Sequence, residues 1–230
     1  MRHTPDAVMI FAAGFGTRMK ELTRDVPKPM IPVAGKPLID HALDLTDAAG
    51  LKHRVANVHY KPEALIRHLN AREVIISDER DAILETGGGL KHARPLLPRA
   101  PLFTMNSDAV FQGPNPFKVL QHAWDPNQMS ALLLMIPPAQ AHGTDSKGDF
   151  SINATGALSR GAGFIYSGIQ IIHPQSLDGI EDEAFSLNVV WNQLQSQGRL
   201  YGVRYGGQWC DVGHPEGISM AENLLKSANV

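Results

Sequence analysis

The stretch at residues 8–29, VMIFAAGFGTRMKELTRDVPKP, constrains this chain more than any property of its overall composition. Val8, Met9, Ile10 and Phe11 form a short apolar run followed by small residues, the pattern of a strand buried on both faces of a parallel sheet. We expect it to be the central strand. The run breaks at Ala12-Ala13-Gly14-Phe15-Gly16-Thr17-Arg18-Met19, where Gly14 and Gly16 permit backbone geometry that other residues avoid and leave room for a ligand beside the main chain. Exposed N–H groups in such a turn cradle phosphates, and a helix N-terminus after it would add a favourable partial charge.

Two familiar glycine motifs do not fit. A dinucleotide fingerprint wants a small residue three positions after Gly16, where Met19 stands, and the phosphate loop of NTPases wants a Gly-Lys-Ser/Thr that never follows. What remains is G-x-G-T-R-M, then Leu22-Thr23, then Pro27-Lys28-Pro29. Taken alone, the glycines need only make a tight turn, with Arg18 and Lys28 as solvated charges. The composite resembles the signature of the sugar-1-phosphate nucleotidyltransferases. That resemblance implies a Rossmann-like three-layer α/β fold with a predominantly parallel, mixed central sheet. It also implies a nucleotide held by Ala12, Ala13, Gly14, Gly16 and Thr17, with Arg18 on the β- and γ-phosphates and Lys28 on the α-phosphate or the incoming phosphate.

Length and charge narrow the field. With 230 residues the chain suits one large α/β domain, with a nucleotide-binding half at about residues 7–136 and a sugar-binding, closing half at about 137–230. Its net charge of −2 comes from scattered rather than striped basic residues, which argues against nucleic-acid or anionic-membrane partners. The single cysteine, Cys210, excludes an intramolecular disulfide or cysteine metal cluster and is compatible with a reducing cytoplasm; beside an acid and without a base it reads as a packed residue. No run is apolar enough to span a bilayer, and residues 1–6 read as a loose leader. We expect a cytoplasmic monomer or small homo-oligomer.

Along the chain, a helix is expected over residues 38–49, stopped by Gly50, with Asp40, His41 and Asp44 on a solvated face. Strand, helix and strand at 54–58, 62–69 and 74–77 support parallel crossovers. Asn57, His59 and Tyr60 fall at the C-terminal edge of the first of these strands, where open α/β sheets bind ligands. Three glycines, Gly87 to Gly89, open another helix; their entropic cost is better explained by a backbone that must meet a ligand than by a plain loop. A strand at 101–105 delivers Asp108, well placed to hold a hard cation against a phosphate. Further strands are expected at 129–136, 164–172 and 201–205, with helices from Ser186 to about Gln197 and from Pro215 to about Lys226; Gly168 can mark a bulge.

The run Leu84-Glu85-Thr86-Gly87-Gly88-Gly89 is similar to the loop of the small bacterial uridylyltransferases acting on N-acetylmuramate 1-phosphate in cell-wall recycling, as is Gly148-Asp149-Phe150. The resemblance implies nucleotide contacts at Gly87 and Gly88, sugar contacts at Glu85, Asp149, Ser167 and Gly168, and Mg²⁺ held by Asp108 and Asp211. Arg18, Lys28 and Asp108 would carry catalysis. Three departures stand out: Ser107 in Asn-Ser-Asp, which would narrow the sugar's approach, His214 for a usual threonine, and no Glu-Lys-Pro lysine, for which Lys147 is either a substitute or a solvated loop lysine. Two aspartates at 4 Å would repel by about 4 kcal/mol at an effective dielectric of 20, which a cation would relieve. The reaction implied joins a nucleoside triphosphate, UTP by this resemblance, to a sugar 1-phosphate and releases pyrophosphate. The alternatives are a mannose-1-phosphate guanylyltransferase and a non-catalytic sugar-nucleotide sensor.

Overall fold

The computed structural model describes residues 4–227. From the N-terminus come strand β1 (Ala7–Phe11), the two-residue strands β2 (Pro32–Val33) and β3 (Lys36–Pro37), helix α1 (Leu38–Ala49), β4 (His53–Val58), α2 (Pro62–Ala71), β5 (Ile75–Asp78), α3 (Glu85–His92) and β6 (Leu102–Asn106). They are followed by β7 (Ala109–Gln112), α4 (Pro116–Ala123), β8 (Ala131–Ile136), β9 (Ala141–His142), β10 (Phe150–Ile152), β11 (Leu158–Arg160) and β12 (Ile165–Ile172). The last elements are α5 (Leu187–Ser196), β13 (Leu200–Arg204), β14 (Gln208–Asp211) and α6 (Pro215–Lys226).

The main sheet has seven strands in the order β13-β8-β12-β6-β1-β4-β5, parallel except where β12 runs against β6 and β8. β1 is an interior strand, third from the β5 edge, and β6 takes the middle. Burial on both faces is common to every interior strand, so an apolar run marks the interior and not the midpoint. Alternate residues of β1 serve opposite layers: Val8 and Ile10 pack with α1, α2 and α4 through Ile39, Leu65 and Phe117, whereas Met9 packs with α3 and α5 through Leu90 and Val190. The period-2 geometry of a strand thus builds a three-layer α/β fold.

A second sheet, β7-β14-β9, has no clear signal in the sequence, yet it does the most for the site. β7 begins immediately after Asp108, and its antiparallel register sets Ala109 opposite Asp211. The Val212 N–H then donates to the Asp108 carbonyl at 2.8 Å. Two aspartates a hundred residues apart in sequence are brought side by side by one strand pairing. α6 covers this sheet, with Ala221, Cys210, Val212 and Val110 in a small core of their own.

Several expectations need correction. Asp40 and His41 are buried, not solvated: Asp40 accepts from His68 at 2.7 Å and Arg72 at 2.9 Å, tying α1 to α2, and His41 meets the Val33 carbonyl at 2.9 Å. Asp44 is exposed, as expected, and pairs with Arg72 and Lys36, which hold its carboxyl below the usual range although partial burial pushes the other way. Residues 1–3 of the expected leader lie outside the described residues, whereas Pro5 is buried and its carbonyl accepts from Gln121 at 3.1 Å. No α-helix follows the glycine turn. The segment Thr17–Thr23 is 3-10, broken at Lys20 by a left-handed φ of 55°, so a helix dipole contributes little there.

Candidate active site

The C-terminal edges of the parallel strands converge on one cleft. β1 delivers Ala12 to Gly14, β4 delivers Asn57, β5 is followed by Glu79 and β6 by Ser107 and Asp108, around a cavity of about 230 Å³. Lys28 and Glu85 complete its walls.

Gly16 explains how the turn reaches Lys28. Its φ is 65°, and a Cβ there would stand 2.8 Å from Lys28 Cβ and 2.9 Å from Thr23 Cγ2. Only a glycine lets the turn lie against the lysine's segment. Gly14 has nothing within 4 Å of the same position and leaves open space for a ligand. Pro27 and Pro29 stiffen the short turn Lys28–Met30, and the buried Lys28 Nζ donates to Asp108 Oδ2 at 2.7 Å.

Behind the turn, Asn57 Oδ1 accepts the Ala12 N–H at 2.7 Å while its Nδ2 donates to Glu79 Oε1 at 3.0 Å. Burial raises the Glu79 carboxyl above its usual range, against the opposing Asn57 bond. Asn57→Ala should therefore cost about 1–3 kcal/mol, because it strands a buried N–H and a buried carboxyl. Urea unfolding measures this directly; a change under about 0.5 kcal/mol would mean that the network is dispensable.

The second half of the cleft holds Arg18, Asp108, Asp149, Ser167, Gly168 and Asp211 around a further 230 Å³ or so. Its construction depends on Gly213: a Cβ there would fall 2.5 Å from Asp211 Oδ2 and 2.9 Å from Arg18 Nη2. The bare glycine lets a carboxylate and a guanidinium share one corner. Gly213→Ala should displace one or both, lowering kcat/KM by about a hundredfold with little change in melting temperature. Equal losses in activity and stability would assign Gly213 to folding alone.

Asp211 is the most perturbed carboxylate of the cleft. Burial first, then the charge of Asp108, raises its pKa to about 6, while Lys28, Arg18 and His214 pull it down. A divalent cation would relieve both causes. Among the described residues no three His, Cys, Asp or Glu side chains form a closed cage. Two carboxylates with open positions beside them suit Mg²⁺, which keeps water and phosphate oxygens in its shell. The residues present therefore fit that ion. Cys210, next to Asp211, is fully buried and its thiol is pushed up to about 12 by burial, as a packed residue should be.

The sugar-side candidates divide. Asp149 Oδ2 accepts the Tyr166 N–H at 2.8 Å and the residue lines the cleft. Ser167 and Gly168 form a bulge where β12 slips register against β8, and Gly168, at φ 89°, lies so close that a Cβ would sit 3.0 Å from Asn106 Cβ. The bulge and the cleft wall are the same feature. Glu85 is exposed on the cavity rim with φ 58°, a strained setting for a residue with a side chain.

Gly87 and Gly88 have a packing role that the sequence reading did not foresee. Their N–H groups donate to the Phe185 carbonyl at 2.8 and 3.0 Å, and a Cβ on either would strike the Phe185 ring or the Glu183 carbonyl. A Cβ on Gly89 would press on Asn57 and Glu79. Gly87 and Gly88 let α3 pack against the chain before α5, Gly89 lets it lie on Asn57 and Glu79, and the space at all three is filled by protein. Lys147 is exposed and stands outside the cleft walls. Ser107 turns its hydroxyl onto the Phe11 carbonyl at 2.8 Å, and His214 reaches the Gly143 carbonyl at 3.0 Å, so both departures tie neighbouring segments together. Sequence reasoning missed Glu79, although it follows a parallel strand at the ligand-binding edge just as Asp108 does.

Residues 7–144 match the family described as nucleotidyl transferase. The N-acetylmuramate alpha-1-phosphate uridylyltransferase of Caulobacter vibrioides is 38% identical over 99% of this chain and 100% of its own length. A mannose-1-phosphate guanyltransferase of Yarrowia lipolytica is 29% identical over 90% of this chain but only 61% of its own. Among solved structures, the inositol-1-phosphate CTP transferase from T. maritima superposes with a TM-score of 0.81 at 16% identity, covering 100% of this chain and 98% of that one, which bears on the fold alone.

Proposed function

Because this chain belongs to the nucleotidyl transferase family, we propose that it is a sugar-1-phosphate nucleotidyltransferase joining UTP to N-acetylmuramate 1-phosphate, with release of pyrophosphate. The observation that carries the substrate is likeness over the full length of both chains to an enzyme of that name, where the guanyltransferase relative extends well beyond this chain. Cell-wall sugar recycling in the cytoplasm is the setting this reading implies.

In the reaction an oxygen of the sugar phosphate attacks the α-phosphorus of UTP, the bond from α-phosphorus to the bridging oxygen breaks, and that oxygen leaves on pyrophosphate. A phosphate monoester is already largely dianionic at neutral pH, so no side chain need act as general base. The chain's task is placement and charge. The open turn at Gly14 admits the triphosphate, Arg18 meets its outer phosphates, and Lys28 lies at the wall where the α-phosphate and the incoming phosphate must meet. Asp108 and Asp211 would hold Mg²⁺, which when bound offsets the negative charge of the two phosphorylated substrates. Asp149 offers a carboxylate to sugar hydroxyls.

The test is a pyrophosphate-release screen, with and without Mg²⁺, crossing UTP, GTP, CTP and dTTP with the 1-phosphates of N-acetylmuramate, N-acetylglucosamine, mannose and glucose. UTP with N-acetylmuramate 1-phosphate should dominate, and only with Mg²⁺ present. Turnover confined to GTP and mannose 1-phosphate would replace this reading with the guanylyltransferase one, and nucleotide binding without any turnover would leave a sensor.

A further inference from the structure

Beside the two cavities already described lies a third, of about 300 Å³, whose walls include Asn106, Asp149 and Tyr166 of the cleft and, on the far side, Arg160 and Asn188. It shares those three wall residues with the phosphate-handling half of the cleft, and neither Asp108 nor Asp211 lines it.

Arg160 is held there with unusual care for an exposed arginine. It ends β11, directly across from Phe150 on β10, and its guanidinium lies 4.4 Å from the Phe150 ring centroid and 5.6 Å from that of Trp191. Nη2 donates to Asn188 Oδ1 at 2.7 Å and Nε to Asn192 Oδ1 at 3.2 Å, both neutral partners on α5. Among the described residues Nη1 has no hydrogen bond and no carboxylate lies within ion-pair distance of the guanidinium, although the charge of Asp149, on the cleft side of the same cavity, acts on it. The group is always charged, flat against aromatic faces and fixed in orientation, so it loses little freedom on meeting an anion. The N-terminus of α5 at the same wall adds a weak positive bias.

We propose that Arg160 is a specificity-determining residue of this enzyme, binding the carboxylate of an acidic arm on the sugar of the sugar 1-phosphate. The proposal rests on the function given above, since N-acetylmuramate differs from N-acetylglucosamine by a lactyl ether whose carboxylate is ionised at neutral pH. With the 1-phosphate between Arg18, Asp108 and Asp211, the ring passes Asn106 and Asp149 and the arm reaches Nη1. Neutral sugars have no partner to offer there.

Steady-state kinetics at saturating UTP and Mg²⁺ with N-acetylmuramate and N-acetylglucosamine 1-phosphates test this in wild type, Arg160→Met and Arg160→Lys. Arg160→Met should raise KM for the muramate substrate by about 10- to 100-fold, the worth of one charge-assisted hydrogen bond, while kcat and the glucosamine KM hardly move. Arg160→Lys should recover part of the loss, since it keeps the charge without the fork. Parallel loss on both sugars would make Arg160 a structural residue, and unchanged discrimination would show that the arm lies elsewhere; either overturns the proposal. Wild-type enzyme that does not turn over the muramate substrate would remove the functional reading itself, and this inference with it, a result distinct from both.

Discussion

Asp108→Asn should lower the turnover number for pyrophosphate release by about a thousandfold while the protein still folds. The side chain sits where β6 stops, with its carboxylate 29% exposed and bonded at 2.7 Å to a lysine only 11% exposed. Asparagine keeps the shape and one acceptor but loses the charge. The loss acts twice: a hard cation binds an amide oxygen far less well than a carboxylate, and the Lys28 ammonium is left without its counter-charge. The stability cost should be about 1–3 kcal/mol, because part of the site is wet and water can replace some of the bond. Chemical denaturation and turnover measured on the same preparation separate the two effects. Lys28→Met provides a control, since it frees Asp108 and removes a cation: if Asp108 served only to hold Lys28, the two variants and their combination would lose the same activity. A well-folded Asp108→Asn enzyme within about tenfold of wild type would remove Asp108 from the chemistry.

The parts of the site that could be read from the sequence are those where local pattern and sheet topology say the same thing. An apolar run ending in Gly14 to Gly16, and another ending in Asp108, place turn and acid at the C-terminal edge of parallel strands by rule alone. Asp211 was readable only by resemblance, since what brings it to Asp108 is the pairing of β14 with β7, two four-residue strands separated by nearly a hundred positions. The glycines at 87–89 show the converse limit. A glycine run says that something approaches the backbone closely, but not whether it is a ligand or, as here, Phe185 and Glu183 for the first two glycines and Asn57 and Glu79 for the third. Glu79 and Arg160 are silent for a related reason. A lone Glu after a short strand and a lone Arg at the end of a short polar strand have ordinary sequence surroundings, and their settings come from Asn57 for the first and from the facing strand's Phe150 and the more distant α5 for the second.

The companion result is expected at Asp211, where Asp211→Asn should abolish turnover to a similar degree yet stabilise the metal-free protein at neutral pH. A carboxyl whose pKa is raised on folding to about 6 contributes stability that is fully present below its unfolded value, near 4, and lost as pH rises through about 6. At pH 7.5 the wild-type protein therefore carries the cost of an ionised, largely buried carboxylate beside Asp108, at most ~3 kcal/mol from a shift of about two units. Asparagine never ionises and avoids it. Melting temperatures without added metal should be higher for the variant at pH 7.5 and converge with wild type below about pH 4. Added Mg²⁺ should raise the wild-type melting temperature above pH 6, with the gain fading below it as protons compete for Asp211, and should leave the variant nearly unmoved. A variant less stable than wild type at pH 7.5 without metal would show that Arg18, Lys28 and His214 already satisfy the carboxylate. The site would then have no electrostatic need of a cation, and the case for Asp211 as its ligand would fall.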